Sequence, residues 1–394
     1  MKVGVFFCLD KNSGGAYHQA LKTINILSQI KDINFSFYNE SSNKKKLFDK
    51  NIKHYTTNII DKIFFLLNDS VFLKNFLKKF KIKNKFEIFV KKENIDIVFF
   101  VGNSRLSVLC NNIDYISYIY EFHHIFRPDL PEYKGWNNFE FRENLLKLNT
   151  KKSIALIVDT NKKAYDLVKY YNCIEEKINV IPLTSNIISN DIYTKNGLSK
   201  NLENIFQSKE EYYFYPAQYW SHKNHVYILE TIKLINEKTN KKIKFVFTGS
   251  KKQNFKKIND TIKKFDLEKQ VIILEYLSNY EIVELYNNCN ALVMPSLIGY
   301  SSLPLYEAFF FEKPVFYTKN LLDESLREFV NEIDINDVNS LANEIINFKK
   351  NKIKYEEKIK KAKIYFEKYL SDEKITNSYK KFFKKIVDSQ KIYK

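Results

Sequence analysis

Short apolar runs, mostly β-branched or aromatic, alternate with helix-period segments from end to end of the chain. The runs Val3–Leu9, Asp96–Gly102, Tyr115–Tyr120, Ser153–Asp159 and Ile178–Pro182 read as strands. After a gap the series resumes at Tyr212–Pro216, Ile243–Gly249, Val271–Glu275, Ala291–Pro295 and Pro314–Tyr317. Strands without polar alternation suit a parallel sheet covered on both faces. Helical periods fill the intervals at Ala16–Ile30, Asn161–Tyr171, Lys223–Lys238 and Ser278–Asn288, with a long lysine-rich helical tail after Lys349. The polar stretch Thr184–Glu211 has no period and separates the two series. The predicted fold class is therefore α/β, with two Rossmann-like domains facing each other across a cleft. The expected division is 1–190, 205–370 and a helical tail, 371–394, packing back towards the amino-terminal domain. Ligands of such sheets bind beyond the carboxyl ends of the strands.

Composition narrows the picture. With 394 residues, 44% hydrophobic and 16% aromatic, the chain is too apolar for intrinsic disorder and long enough for two cores. Seven prolines and eight glycines argue against collagen-like or many-turned all-β architectures. The four cysteines, Cys8, Cys110, Cys173 and Cys289, are far apart and form no metal-ligand or disulfide spacing, which fits a reducing cytoplasm. The first residues read as a strand rather than a signal peptide, and no stretch approaches the ~18 apolar residues of a membrane span. The net charge of +18 follows largely from lysine at solvated positions. It also suits an anionic surface, but no finger, RNP-like or helix-turn-helix signature points to nucleic acid.

Several chemistries lack their motifs. No GxGxxG follows the first strand, and neither a Walker A sequence nor GxSxG is present. No DxD stands at a strand end, which weakens any metal-diphosphate mechanism.

Four stretches at strand ends carry candidate chemistry. In Ser296–Ala308, Ser302 is placed to cap a helix with Leu303 and Pro304 in its first turn. Free amides there, with the Ser301 and Ser302 hydroxyls, form an anion seat. Glu307 follows one turn on and can accept two hydrogen bonds from a vicinal diol such as a ribose. The plain alternative is a capped helix with a surface glutamate. In Tyr215–His225, Ser221 reads as a helix cap, placing Lys223 in a first turn where the dipole opposes a cation unless an anion shares the site. The alternative is an exposed lysine, and His222 and His225 read as packing or hydrogen-bonding residues. The pair Gly14–Gly15 allows close backbone approach to a ligand at the first strand-to-helix turn. In Glu121–Asp129 a histidine can hydrogen-bond a sugar hydroxyl or assist proton transfer, or serve structure alone.

In order, these stretches resemble glycosyltransferase family 4, retaining enzymes of the GT-B fold, and are most similar to the bacterial branch that builds lipopolysaccharide and capsule. The likeness rests on Gly14–Gly15, Tyr215–His225, Phe247-Thr248-Gly249, Gly299–Ala308 and Glu312-Lys313-Pro314-Val315. Tyr276-Leu277-Ser278 and Ile333–Asp337 also match. The family usually carries two glutamates eight apart, and the first falls here on Gly299, leaving Glu307 alone. The resemblance implies sugar transfer from a nucleotide-diphosphate donor to a growing surface glycan or its lipid carrier, without a bound metal. Lys223 would neutralise the departing diphosphate, with Gly249, Tyr276, Leu277, Gly299, Ser301, Ser302 and Leu303 lining the donor. Glu307 would hold the ribose, Gly14 and Gly15 would admit donor phosphates and acceptor, and His124 takes the place of the family's histidine. The rival readings are a non-catalytic nucleotide-sugar-binding protein with a degenerate site, and an epimerase or phosphorylase on the same fold.

The stretch Asp69–Lys85 reads as an amphipathic helix, with Phe72, Leu73, Phe76, Leu77 and Phe80 on one face. Lys74, Lys78, Lys81 and Lys85 recur on a neighbouring face. Lysines at an anionic leaflet contribute about 1 kcal/mol each, enough for loose attachment to the inner face of the cytoplasmic membrane. The same phenylalanines also suit a core.

Overall fold

The structure is a computed structural model. It describes residues 1–8, 14–40, 52–68, 84–134, 136–188, 197–239, 242–275, 277–351 and 353–392. The chain divides into two compact units. One comprises Met1–Ile125, Gly135–Pro182 and Asp372–Lys394; the other comprises Phe126–Lys134 and Leu183–Ser371. The chain thus leaves the first unit after Ile125, contributes nine residues to the second, and returns at Gly135.

In the amino unit, β1 (Lys2–Phe7), β2 (Asn34–Asn39), β3 (Lys53–His54), β4 (Ile97–Val101), β5 (Tyr115–Tyr118), β6 (Ala155–Val158) and β7 (Ile178–Val180) form one sheet. Its order is β3-β2-β1-β4-β5-β6-β7, and every pairing is parallel. Strand β4, IVFFV, is buried at all five positions, as expected of a central strand covered on both faces. Below it Phe6 stacks on Tyr38 at 4.8 Å and meets Phe86 edge-on at 5.2 Å. Helix Asp372–Ile392 belongs to this unit through buried Tyr379, Phe382 and Phe383 and through Asp372, 2.5 Å from Lys22.

The carboxyl unit holds β8 (Tyr212–Pro216), β9 (Lys244–Thr248), β10 (Val271–Leu274), β11 (Ala291–Met294), β12 (Val315–Thr318) and β13 (Asn331–Ile333) in the order β10-β9-β8-β11-β12-β13, again parallel. The two parallel α/β sheets realise the predicted fold class. Helix ends follow local chemistry. Ser278 caps helix Asn279–Asn288 in a reciprocal box with Glu281, and Asn172 ends helix Asn161–Tyr171 in a left-handed conformation (φ 49°).

The sequence pattern missed β2, β3 and β13. In β2, NFSFYN, one face is only partly covered, so its polar positions break the apolar run. The stretch Thr184–Glu211, read as lacking a period, contains helix Lys200–Gln207, whose Leu202 and Ile205 are buried. The amphipathic reading of Asp69–Lys85 falls mostly outside the described residues, Lys74, Lys78 and Lys81 included. Lys85 does not extend that helix; it opens a separate one, Lys85–Lys92, capped by Asn84. Among the described residues, no helix is long and apolar enough to cross a membrane.

Candidate functional site

In a parallel sheet the strand order reverses direction at one point, and the loops on either side part to leave a crevice at the carboxyl edge. In the carboxyl unit that point lies between β8 and β11. The loop after β8 carries Lys223 and the loop after β11 carries Gly299, Ser301 and Ser302, so the fold brings these sequence candidates to one edge. Gly249 follows β9 and Leu277 follows β10 on the same edge. Tyr276 lies outside the described residues.

The loops are cross-tied. The Leu297 amide donates to the His222 carbonyl at 2.8 Å, and the Tyr215 hydroxyl donates to the Lys223 carbonyl at 2.8 Å while lying 3.2 Å from Ser296 Oγ. Gly249 has φ +151°, and a Cβ there would stand 2.6 Å from the Ala217 carbonyl oxygen. Only glycine lets the end of β9 approach the β8 loop this closely.

The expected helix start at Ser221 is corrected. Ser221–Lys223 form a 3-10 turn, Asn224 turns left-handed (φ 53°), and the α-helix begins at His225. Asparagine tolerates that conformation, and it cuts the helix off before Lys223 can join it. Lys223 is half-buried just ahead of the helix and makes no ion pair among the described residues. Burial pushes its ammonium down to about 8, although the charge of Glu132 opposes the fall. His225 is fully buried among Tyr215, Tyr219 and Phe247 at 4.8–5.1 Å, a packing residue as expected.

Ser302 caps helix Leu303–Phe310, its hydroxyl accepting from the Leu305 amide at 3.2 Å. Pro304 has no N–H and that of Leu305 is taken, so an anion seat rests on the Leu303 amide and the loop before it. Leu303 itself is buried. Gly299 sits at φ +119°, its carbonyl accepting from the Tyr317 hydroxyl at 3.1 Å. Glu307 is no surface glutamate. It is 8% exposed, accepting from Ser185 Oγ at 2.5 Å on one oxygen and from the Tyr286 hydroxyl at 2.7 Å on the other. Burial raises its pKa, with the two hydroxyls opposing.

In the amino unit the reversal lies between β1 and β4. Gly14, at φ 57°, is the N-cap of helix Gly15–Ser28 after β1 and, being glycine, offers it no side-chain cap. His124 is buried in the 3-10 turn His123–Ile125, its Nε2 3.1 Å from Glu143 Oε2. Burial lowers its pKa and Glu143 opposes. The carboxylate also accepts from the Tyr171 hydroxyl at 2.6 Å. His124 is thus held in a hydrogen-bonded cluster.

Two residues escaped the sequence reading. Glu40 directly follows β2 and accepts from Ser104 Oγ at 2.6 Å; burial raises it to about 7. Its signal, a glutamate directly after a strand, was lost with β2 itself. Glu132, in the nine-residue excursion, accepts from the His222 amide at 3.0 Å and lies 3.0 Å from His222 Nδ1. No spacing could have found it, because 90 residues separate the partners. Among the described residues, no group of three or more His, Cys, Asp or Glu side chains is placed to hold a metal ion.

A family model described as "Glycosyl transferases group 1" matches residues 200–365. No curated protein matches the chain by sequence. Among solved structures, sucrose-phosphate synthase from Thermosynechococcus elongatus is 12% identical, with a TM-score of 0.72 over 98% of this chain and 99% of that one. HepE of Anabaena, solved with UDP and glucose, is 13% identical, with a TM-score of 0.69 over 98% of this chain and 100% of that one. WaaG, a glycosyltransferase involved in lipopolysaccharide biosynthesis, is 13% identical, with a TM-score of 0.65 over 96% and 99% of the two chains. At these identities the structural likeness speaks for the fold, two Rossmann-like domains of the GT-B kind.

Proposed function

We propose, from the match of residues 200–365 to the group 1 glycosyltransferase model, that this chain is a retaining glycosyltransferase working from a nucleotide sugar, whose donor diphosphate sits between Lys223 and the start of helix Leu303–Phe310. The observation that carries the reading is a half-buried cation, without an ion pair among the described residues, at the strand-order reversal and beside a capped helix start. A desolvated lysine and oriented amides stabilise the charge of a departing diphosphate without a metal. Ser301, Ser302 and the Gly299 backbone hold phosphate and sugar, with Gly249, Leu277 and Tyr276 along the same edge. Glu307 takes the ribose. Its two bonded hydroxyls use two of about four lone-pair directions, leaving two for a diol. Gly14, Gly15 and His124 serve donor phosphates and acceptor from the amino unit. The acceptor is a growing surface glycan, of lipopolysaccharide or capsule, or its lipid carrier, reached at the cytoplasmic membrane through Lys74, Lys78, Lys81 and Lys85.

Because HepE was solved with UDP, uridine nucleotides are the first donors to try. Calorimetry should show UDP binding that weakens by about 10-fold or more in Lys223→Gln, the loss of a charge-assisted contact. Absence of binding across uridine, guanosine and cytidine diphosphate sugars would sink the donor reading. Product NMR from an α-linked donor tests retention. The second reading, a binding protein with a degenerate site, is favoured by Gly299, whose positive φ disfavours any glutamate there. Turnover with any acceptor removes it.

A further inference from the structure

The excursion Phe126–Lys134 reaches both site loops of the carboxyl unit. Leu130 and Tyr133 pack with Ile298 and Leu297 of the loop after β11, while Glu132 engages the turn after β8. One oxygen of Glu132 receives the His222 amide and faces His222 Nδ1. Its other oxygen is buried and accepts no hydrogen bond among the described residues. The side chain is 8% exposed, yet it forms no salt bridge with Lys223, the next residue of the turn it holds.

That spacing has a consequence for a cation that must receive an anion. A carboxylate in contact with Lys223 would occupy the donors a diphosphate needs. With no carboxylate nearby, burial would favour the neutral amine. A carboxylate bonded to the preceding residue and set back from the ammonium does neither: it fixes the turn and supplies counter-charge while leaving the ammonium's hydrogen bonds available. We propose, resting on the donor reading above, that Glu132 is a positioning residue of the diphosphate site, fixing the His222–Lys223 turn and keeping Lys223 in its charged, unpaired form. Among the described residues, Glu132 of the excursion acts on the Lys223 charge, Lys223 acts in turn on His225 of the following helix, and the Tyr215 hydroxyl of β8 bonds to the Lys223 carbonyl.

Glu132→Gln separates the two roles, because its amide oxygen still accepts from the His222 amide while the charge is gone. UDP binding to the full chain is measured by calorimetry from pH 6.5 to 9, for wild type, Glu132→Gln, Glu132→Ala and Lys223→Arg. Lys223 is also titrated without ligand by the NMR shift of its 13C-dimethylated amine. Wild type is expected to lose UDP affinity as pH rises through about 8. In Glu132→Gln that limb and the lysine titration both move down by about half a unit or more, with affinity at pH 6.5 retained or improved. In Glu132→Ala the affinity falls at every pH, because the turn is released. Lys223→Arg, which stays charged, flattens the limb. Superimposable limbs for wild type and Glu132→Gln would overturn the proposal while leaving the donor reading intact. If wild type binds no UDP or other nucleotide but the lysine titration shifts, the donor reading has failed and the electrostatic link has survived it.

Discussion

Two glutamates of the carboxyl unit, Glu132 and Glu307, both keep their side chains largely from solvent, Glu307 more completely than Glu132. Burial by itself pushes both carboxyls up. Glu307 ends above its ordinary value, held by two neutral hydroxyls. Glu132 ends well below, because an amide and an imidazole of His222 outweigh its burial. The donors around a withdrawn acid, together with its depth, decide its charge. Their duties differ accordingly. Glu307 ties helix Leu303–Phe310 to Ser185 and Tyr286, while Glu132 holds a turn ahead of a cation.

The widest separation between them should appear in stability. Glu307→Ala strands two buried hydroxyls and opens a cavity, so unfolding in urea should become easier by about 2–3 kcal/mol. A change below about 0.5 kcal/mol would mean that the Ser185–Glu307–Tyr286 cluster carries no stability.

The next contrast is in pH. Glu132 has a folded pKa below the ordinary 4.5, so its contribution is present above that value and lost as pH falls through the folded pKa. Glu307 has a folded pKa above 4.5, so its contribution is complete below that value and lost as pH rises through the folded pKa. Urea midpoints measured from pH 3 to 8 should therefore show a shallower acid loss in Glu132→Gln and a shallower decline above pH 4.5 in Glu307→Gln. Identical profiles for the two variants would erase the comparison.

A third carboxylate sharpens it further. Gly299→Glu supplies the first of the two glutamates that the family resemblance implies, but at φ +119° it should cost about 1 kcal/mol of stability. A gain in both stability and UDP affinity would show that the loop is not committed to glycine. The smallest effect concerns the hydroxyls: Ser185→Ala should lower stability by about 1 kcal/mol and raise Glu307 further, visible as a decline above pH 4.5 that continues to higher pH.

Much of the fold was legible because buried parallel strands announce themselves as uninterrupted apolar runs; β4 and β11 are buried at every position. Strands β2 and β13 were not, since asparagine, serine and glutamate interrupt their apolar positions. At the site, Ser302 was readable as a cap because capping is a local bond between residues three apart. The Lys223 turn was misread as helix because Asn224's left-handed turn leaves no trace in periodicity.

The sequence alone determined the α/β class, the strand ends at which polar residues gather, and the caps that aim helix starts, all of which depend on neighbours within a few residues. Tertiary structure alone decided that Glu132 joins the carboxyl unit, that Glu307 is buried against Ser185, and that His124 leans on Glu143. Those partners stand 90, 122 and 19 residues apart in the chain, so only folding fixes which group solvates which charge.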